Sequence, residues 1–249
     1  MTSVDDELFV LLPRDDNQVA VYSIDDYQLL RHLNLPGLNT HFYNDITSCV
    51  RRQCLYMSDY DNRCIYYTYL ARDVTCKWSV PGLPCGLSVT PSGNLLVTCQ
   101  EPNKLIELST DSDQCVREIT LQSDIEYPRH AVQLTTGQYV VCHVSWSILH
   151  RVCIVDDNGR VTHSYGGHGQ RGSDVSQLDE PRHLAVDEDS QFIFVADCFD
   201  DRVVMLSPTL EFVRYISEGL SGPERLHLHH ETRRLYVGEW RGDVVVIQL

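Results

Sequence analysis

The sequence predicts an all-β protein: a six-bladed β-propeller of four-stranded antiparallel blades, with the first and last blades incomplete. Three observations predict it. First, one pattern recurs at intervals of roughly forty to fifty residues. Its clearest copy runs through Leu178–Asp187, Phe192–Asp197 and Asp201–Leu206, and a second through Gly222–His229, Arg234–Glu239 and Gly242–Gln248. Second, each copy holds several short Val/Ile/Leu/Tyr runs separated by turn residues such as Pro91–Asn94 and Asp156–Gly159, the expected signal of strands and hairpins. Third, a unit of this length cannot bury its own apolar face and must stack on its neighbours. Radial stacking of small sheets closes a ring.

The strands follow in order within each copy, lettered a to d from the axis outward. Strand a starts at a proline or its equivalent: Asp45, Pro84, Pro128, Pro181 and Pro223. Strand b is the most apolar, over Leu8–Leu12, Cys54–Ser58, Asn94–Cys99, Gln138–Cys142, Phe192–Ala196 and Arg234–Gly238. Strand c follows a short polar loop, over Gln18–Ile24, Arg63–Tyr69, Lys104–Leu108, Arg151–Val155, Arg202–Leu206 and Asp243–Leu249. Strand d is expected over Gln28–Leu35, Thr75–Val80, Cys115–Leu121, Arg160–Tyr165 and Glu211–Ser217. This gives a single domain over 1–249, with blades at about 1–37, 38–82, 83–124, 125–178, 179–220 and 221–249. Blade one has no evident strand a and blade six no strand d, the pattern of an excerpt from a longer chain. The alternative for blade one is a stub of strand a over Thr2–Asp5.

Two columns emerge when the b–c junctions are aligned. The last residue of strand b is small throughout: Ser58, Cys99, Cys142, Ala196, Gly238. Close approach of neighbouring sheets explains that column. The next is polar throughout: Arg14, Asp59, Gln100, His143, Asp197, Glu239. Arg63, Arg151 or Arg202 at the far end of the loop suggests loop-closing ion pairs, or carboxylates accepting loop N–H groups.

Composition narrows the function classes. The balance of 43% hydrophobic and 22% charged residues is that of a globular protein. The net charge of −15, from 35 acidic and 20 basic residues, opposes binding to nucleic acid or anionic membrane. No apolar run is long enough to span a bilayer, and the acidic start Met1–Glu7 does not resemble a secretory signal. Ten cysteines contain no C-x-x-C pair. They read as buried, reduced core residues, which points to a reducing, cytoplasmic setting.

These residues resemble the NHL-repeat propellers, in particular the C-terminal domains of tripartite-motif-type proteins. Gly166–Gly172 is similar to that family's glycine linker, Gln177–Asp187 to its proline-led inner strand, and Phe194–Asp197 with Asp201–Val203 to its Val-Ala-Asp…Arg loop. The match is strongest in blade five. In blade three Gln100 and Lys104 replace the loop's Asp and Arg. The resemblance implies a recognition domain, binding protein in some members and RNA hairpins in others, within a larger ubiquitin-ligase-like protein. A lyase relative with a similar ring is a zinc enzyme.

The d–a and b–c loops should share one face of the disc. Near the channel mouth there, the third residue of the proline-led motif reads Thr47, Gly86, His130, His183 and Arg225, so Pro-Arg-His occurs in both blade four and blade five. Zinc would need a third protein ligand besides His130 and His183, and Arg129 and Arg182 stand where the lyase relatives carry histidine. Arg129, Arg182 and Arg225 instead suggest a small basic collar suited to a carboxylate or acidic peptide. Tyr60, Trp146, Phe199 and Trp240 fall in b–c loops, and Trp and Tyr dominate protein–protein hot spots. The apolar loop 144–150 and the linker 166–179 mark the sector where a partner should dock. His227, His229 and His230 fit ordinary strand and turn positions, and Asp156–Gly159 a turn. The sequence offers no nucleophile motif. The expectation is therefore a protein with no catalytic residues, no metal and no cofactor, not an enzyme. It would bind a protein or peptide, of acidic character, through Arg129, His130, Trp146, Arg182, His183, Phe199, Arg225 and Trp240. The alternatives are an RNA-binding NHL domain and a metal-dependent lyase or hydrolase.

Overall fold

Strands account for nearly all the regular structure, arranged as six antiparallel sheets around a central axis. The computed structural model describes residues 1–12, 18–35, 44–71, 75–112, 114–145, 149–167 and 174–249. Blade one is β1–β4 (Thr2–Val4, Glu7–Leu11, Gln18–Ser23, Leu29–Asn34) and blade two β5–β8 (Ile46–Cys49, Cys54–Asp59, Cys64–Tyr69, Thr75–Ser79). Blade three is β9–β12 (Leu83–Val89, Leu95–Gln100, Lys104–Leu108, Cys115–Thr120) and blade four β13–β16 (Pro128–Gln133, Tyr139–His143, Arg151–Val155, Val161–Gly166). Blade five is β17–β20 (Pro181–Val186, Ile193–Asp197, Arg202–Leu206, Phe212–Glu218) and blade six β21–β23 (Pro223–His229, Arg234–Glu239, Val244–Gln248).

The inner strands lack the usual alternation of apolar and polar residues because both faces of every blade are covered. Side chains that alternate along a strand point into two different interfaces. In β10, Leu95, Val97 and Cys99 pack against blade two, whereas Leu96 packs against blade four. Among the described residues the core divides into six clusters, one at each junction between neighbouring blades. The cluster that closes the ring joins Tyr236 of blade six to Met1, Leu8, Val10 and Ile24.

The expectation that blade one lacks its inner strand is corrected by β1. Thr2, Ser3 and Val4 pair with Phe9, Leu8 and Glu7, so the stub alternative holds and blade one has four strands. Three residues with no leading proline carry too little strand signal to be read from sequence. Blade six has three strands among the described residues, as expected.

The small column does lie at close approaches. At Gly238, where blades six and one meet, an added Cβ would sit 3.1 Å from Met1 Cε, and within blade three one added at Gly82 would sit 3.0 Å from Cys99 Cβ. Gly86 has the strictest requirement. A Cβ there would meet the Arg129 carbonyl oxygen at 2.5 Å and His130 Cα at 2.7 Å. The missing side chain lets β13 press against β9 and brings His130 to the axis. No helix among the described residues is long and apolar enough to cross a membrane.

Candidate functional site

Near the axis, one buried carboxylate gathers groups from five blades. Asp45, just before β5, lies opposite Ser58, the place that His130, His183 and Arg225 hold opposite Cys142, Ala196 and Gly238 in blades four, five and six. Its own backbone N–H donates to Ser58 Oγ (2.7 Å). Asp45 Oδ1 accepts from the Ile46 N–H (2.9 Å) and Oδ2 from the Leu87 N–H of blade three (2.9 Å). From blade five, His183 Nε2 donates to Oδ2 (3.3 Å), and from blade four, His130 Nε2 lies 3.7 Å from the same oxygen. Arg225 Nε of blade six is 3.5 Å from Oδ1. The same guanidinium donates to the Asn44 carbonyl (2.9 Å). Blade one touches the cluster's surroundings through Thr2, hydrogen-bonded to Ser48 of β5 (2.6 Å).

Electrostatics fit this geometry. Burial alone would raise the Asp45 carboxyl, but interaction with His183, then Arg225 and His130, outweighs it and holds the group well below the usual carboxylate range. Burial lowers His183, and lowers His130 to about 3, so both rings are neutral at pH 7. The Leu226 N–H donates to His183 Nδ1 (3.4 Å), and His130 Nε2 donates to the Leu87 carbonyl (3.0 Å). Both rings therefore carry their proton on Nε2.

Asp45, His130 and His183 are also the group of described residues whose potential ligand atoms converge, all within 4.8 Å of one another. The two imidazoles are stacked, with centroids 3.7 Å apart and planes 26° from parallel. Lone pairs held in nearly parallel planes that far apart cannot both point at one cation about 2.0–2.1 Å from each nitrogen. Ring geometry and proton positions both describe a hydrogen-bonded carboxylate clamp. His143, the imidazole of the polar b–c column, is engaged elsewhere. Its Nδ1 meets the Glu126 carbonyl (3.2 Å) and its Nε2 accepts from Arg151 Nε (2.8 Å).

The collar above the clamp is not purely basic. Arg129 Nη2 and Arg182 Nε each lie 3.6 Å from Glu180 Oε2, and Arg182 Nη1 also pairs with Glu224. Arginines and glutamates thus alternate around the mouth. Arg182 is further enclosed by two aromatic rings, its guanidinium carbon 5.6 Å from the Phe199 centroid and 5.2 Å from that of Trp240. Phe199 is 54% exposed and Trp240 44%. Tyr60 instead packs inward and donates its hydroxyl to Gln100 Oε1 (3.1 Å). Trp146, His168 and parts of the 144–150 and 166–179 segments lie outside the described residues.

The polar b–c column does loop-closing work of both expected kinds. Asp197 accepts from Arg202 Nε (2.8 Å) and from the Asp179 N–H (2.7 Å), while Asp59 accepts from the Asn62 N–H (3.0 Å). Asp45, Glu180 and Glu224 were not singled out from sequence. The sequence alignment sets Asp45 level with the leading prolines, whereas the strand register sets it level with His130 and His183, because blade two lacks the bulge that follows Pro128 and Pro181. The glutamates had no signal, because their partners lie on neighbouring blades.

The clamp divides the axial space. On the loop side, a cavity of about 70 Å³ lies beside Asn44, Arg225 and Glu239. On the opposite face, a channel of about 600 Å³ runs inward from the a–b turns to His130 and His183.

Comparison with solved structures identifies the class of fold. The chain is similar to the Kuenenia stuttgartiensis hydrazine synthase, at 15% identity and TM-score 0.70, over 100% of this chain and 94% of that one. It is similar to a protein of unknown function from Bacteroides caccae, at 15% identity and TM-score 0.73, over 98% and 90%. It is also similar to virginiamycin B lyase from Staphylococcus aureus, at 10% identity and TM-score 0.64, over 99% and 83%. No family model matches the chain, and no curated protein does. Likeness at these identities shows the six-bladed propeller fold alone.

Proposed function

We propose that this propeller is a recognition module that binds a protein or peptide through the loop face of blades five and six. The observation that carries the reading is the Phe199–Arg182–Trp240 stack. Two large rings stay exposed while a half-buried guanidinium, held by Glu224, fixes their spacing. Exposed aromatics beside a positioned arginine are the usual anchors of a protein interface. Because Glu180 and Glu224 already neutralise the collar, the aromatic surface carries the affinity, and a strongly acidic ligand is not required. The same pairing disfavours RNA. Arg129, Arg151, Arg182, Arg202 and Arg225 each face a carboxylate, which interrupts a basic track for a phosphate backbone among the described residues.

The proline-led inner strands and the Asp197–Arg202 loop support placing the ring with NHL-type propellers. By that resemblance it would be the substrate-recognition part of a larger tripartite-motif-like protein. Eight of the ten thiols are buried, which suits a reducing, cytoplasmic setting. Peptides selected from a displayed random library against the folded domain test the reading. Trp240→Ala should weaken the selected peptides at least about tenfold, the loss of one hot-spot residue, with the circular dichroism spectrum unchanged. Equal binding to Trp240→Ala and Phe199→Ala would place the interface elsewhere.

A further inference from the structure

The wide channel on the face opposite those loops has a consistent chemistry. Its mouth is ringed by four exposed carboxylates, Asp5, Asp6, Glu188 and Glu231, all on a–b turns. No lysine or arginine lines it among the described residues; Met1 with its amino group and His227, His229 and His230 do. Burial lowers the amine to about 6 and His227 to about 3, so that both are largely neutral at pH 7. The arginines of the same face turn outward: Arg51 and Arg52 to Asp111, and Arg233 to Asp187.

The wall continues the bias inward through its hydroxyl protons. Ser48 Oγ donates to the Ser3 carbonyl (2.8 Å). Thr2 must therefore donate in the 2.6 Å Thr2–Ser48 contact. Ser88 Oγ donates to the Ala131 carbonyl (2.8 Å). With these protons committed, the three hydroxyls offer only lone pairs to a ligand. At the inner end stands His130, 2% exposed, whose Nδ1 has no hydrogen-bond partner. Between these groups the wall is aliphatic, from Val89, Val132, Val186 and Leu228.

We propose that this channel binds a linear aliphatic amine of the di- or polyamine class. One ammonium sits among the rim carboxylates. The methylene chain lies along the valines and Leu228, and a second ammonium donates to the hydroxyl oxygens deeper in. A compact hydrated metal ion would satisfy the rim but leave the aliphatic stretch unused. The site is separate from the loop face, so the two readings stand or fall independently.

Titration calorimetry of the folded protein with spermidine tests it. The expected result is saturable one-to-one binding that weakens as salt is raised. Removing two rim charges in Glu188→Gln/Glu231→Gln should weaken binding about tenfold, as for two exposed ion pairs. Glu211→Gln/Glu218→Gln removes the same charge from the exposed end strand of blade five and should leave binding unchanged. Thr47→Lys, which puts a cation into the channel wall, should abolish it while the circular dichroism spectrum is retained. Absence of saturable binding, or an equal loss in both double variants, overturns the proposal, because the amine would then be sampling the acidic surface at large.

Discussion

Asp45 shows how much one side chain can carry in a repeat fold. Its two oxygens take up the Leu87 and Ile46 N–H groups and His183 Nε2, with Arg225 alongside. A buried charge is tolerable only when it is paired and hydrogen-bonded in this way. Asp45→Asn keeps the shape but removes the charge, and its amide turns donors toward donors. We expect a loss of about 3–5 kcal/mol, the usual cost of breaking a buried pair, read as a lower urea midpoint with an unchanged slope. A loss under about 1 kcal/mol would mean that the pairing contributes little to stability. At this scale the sequence was half legible. The Pro-Arg-His columns placed His130 and His183 at the axis, where they are found stacked. Reading Arg129 and Arg182 as a basic collar missed Glu180 and Glu224, whose proximity depends on how adjacent blades stack.

At the scale of the element, sequence reading worked best where both sides of a strand are buried. Strands c at Lys104–Leu108, Arg151–Val155 and Arg202–Leu206 fall where their apolar runs predict. β1 was ambiguous because three residues, Thr2–Val4, show no periodicity, and ring closure through Tyr236 and Met1 fixes them instead. The least protected element is β23. Its inner side pairs with β22, but no strand covers its outer side among the described residues. Its Val-Val-Val-Ile run is the kind of bare edge that recruits other strands. Val246 is 36% exposed on this strand. Val246→Lys should slow aggregation on warming, followed by light scattering, while shifting stability by less than about 0.5 kcal/mol. Unchanged aggregation would show that this edge is covered in solution.

Across the whole molecule, several imidazoles are kept neutral by burial. His130, His143 and His227 are each lowered to about 3, with burial the main cause. In the unfolded chain they titrate near 6.5, so between these values the unfolded state binds more protons. Their contribution is fully present above pH 6.5 and is lost as pH falls toward 3. Lowering the pH also relieves self-repulsion in a chain of net charge −15, which acts the other way and is screened by salt. Calorimetry at high ionic strength should therefore show the melting temperature falling from pH 7 to pH 5. A flat profile would mean that these rings are already charged in the folded state. The acidic total was plain in the sequence, but its distribution was not. Carboxylates neutralise arginines on the loop face, and along the opposite channel they stand beside imidazoles such as His230, 3.8 Å from Glu188, rather than beside lysine or arginine among the described residues.

Linear repeat proteins can shed a terminal unit and keep the rest, since each unit touches only its neighbours. The Asp45–His183 bond joins positions 138 residues apart, from blades that are not adjacent. These cross-axis contacts act as a hub, tying the rims of the wheel to one centre. A blade displaced anywhere in the ring is felt by every spoke, so the protein should lose its order as a unit rather than fray from its seam.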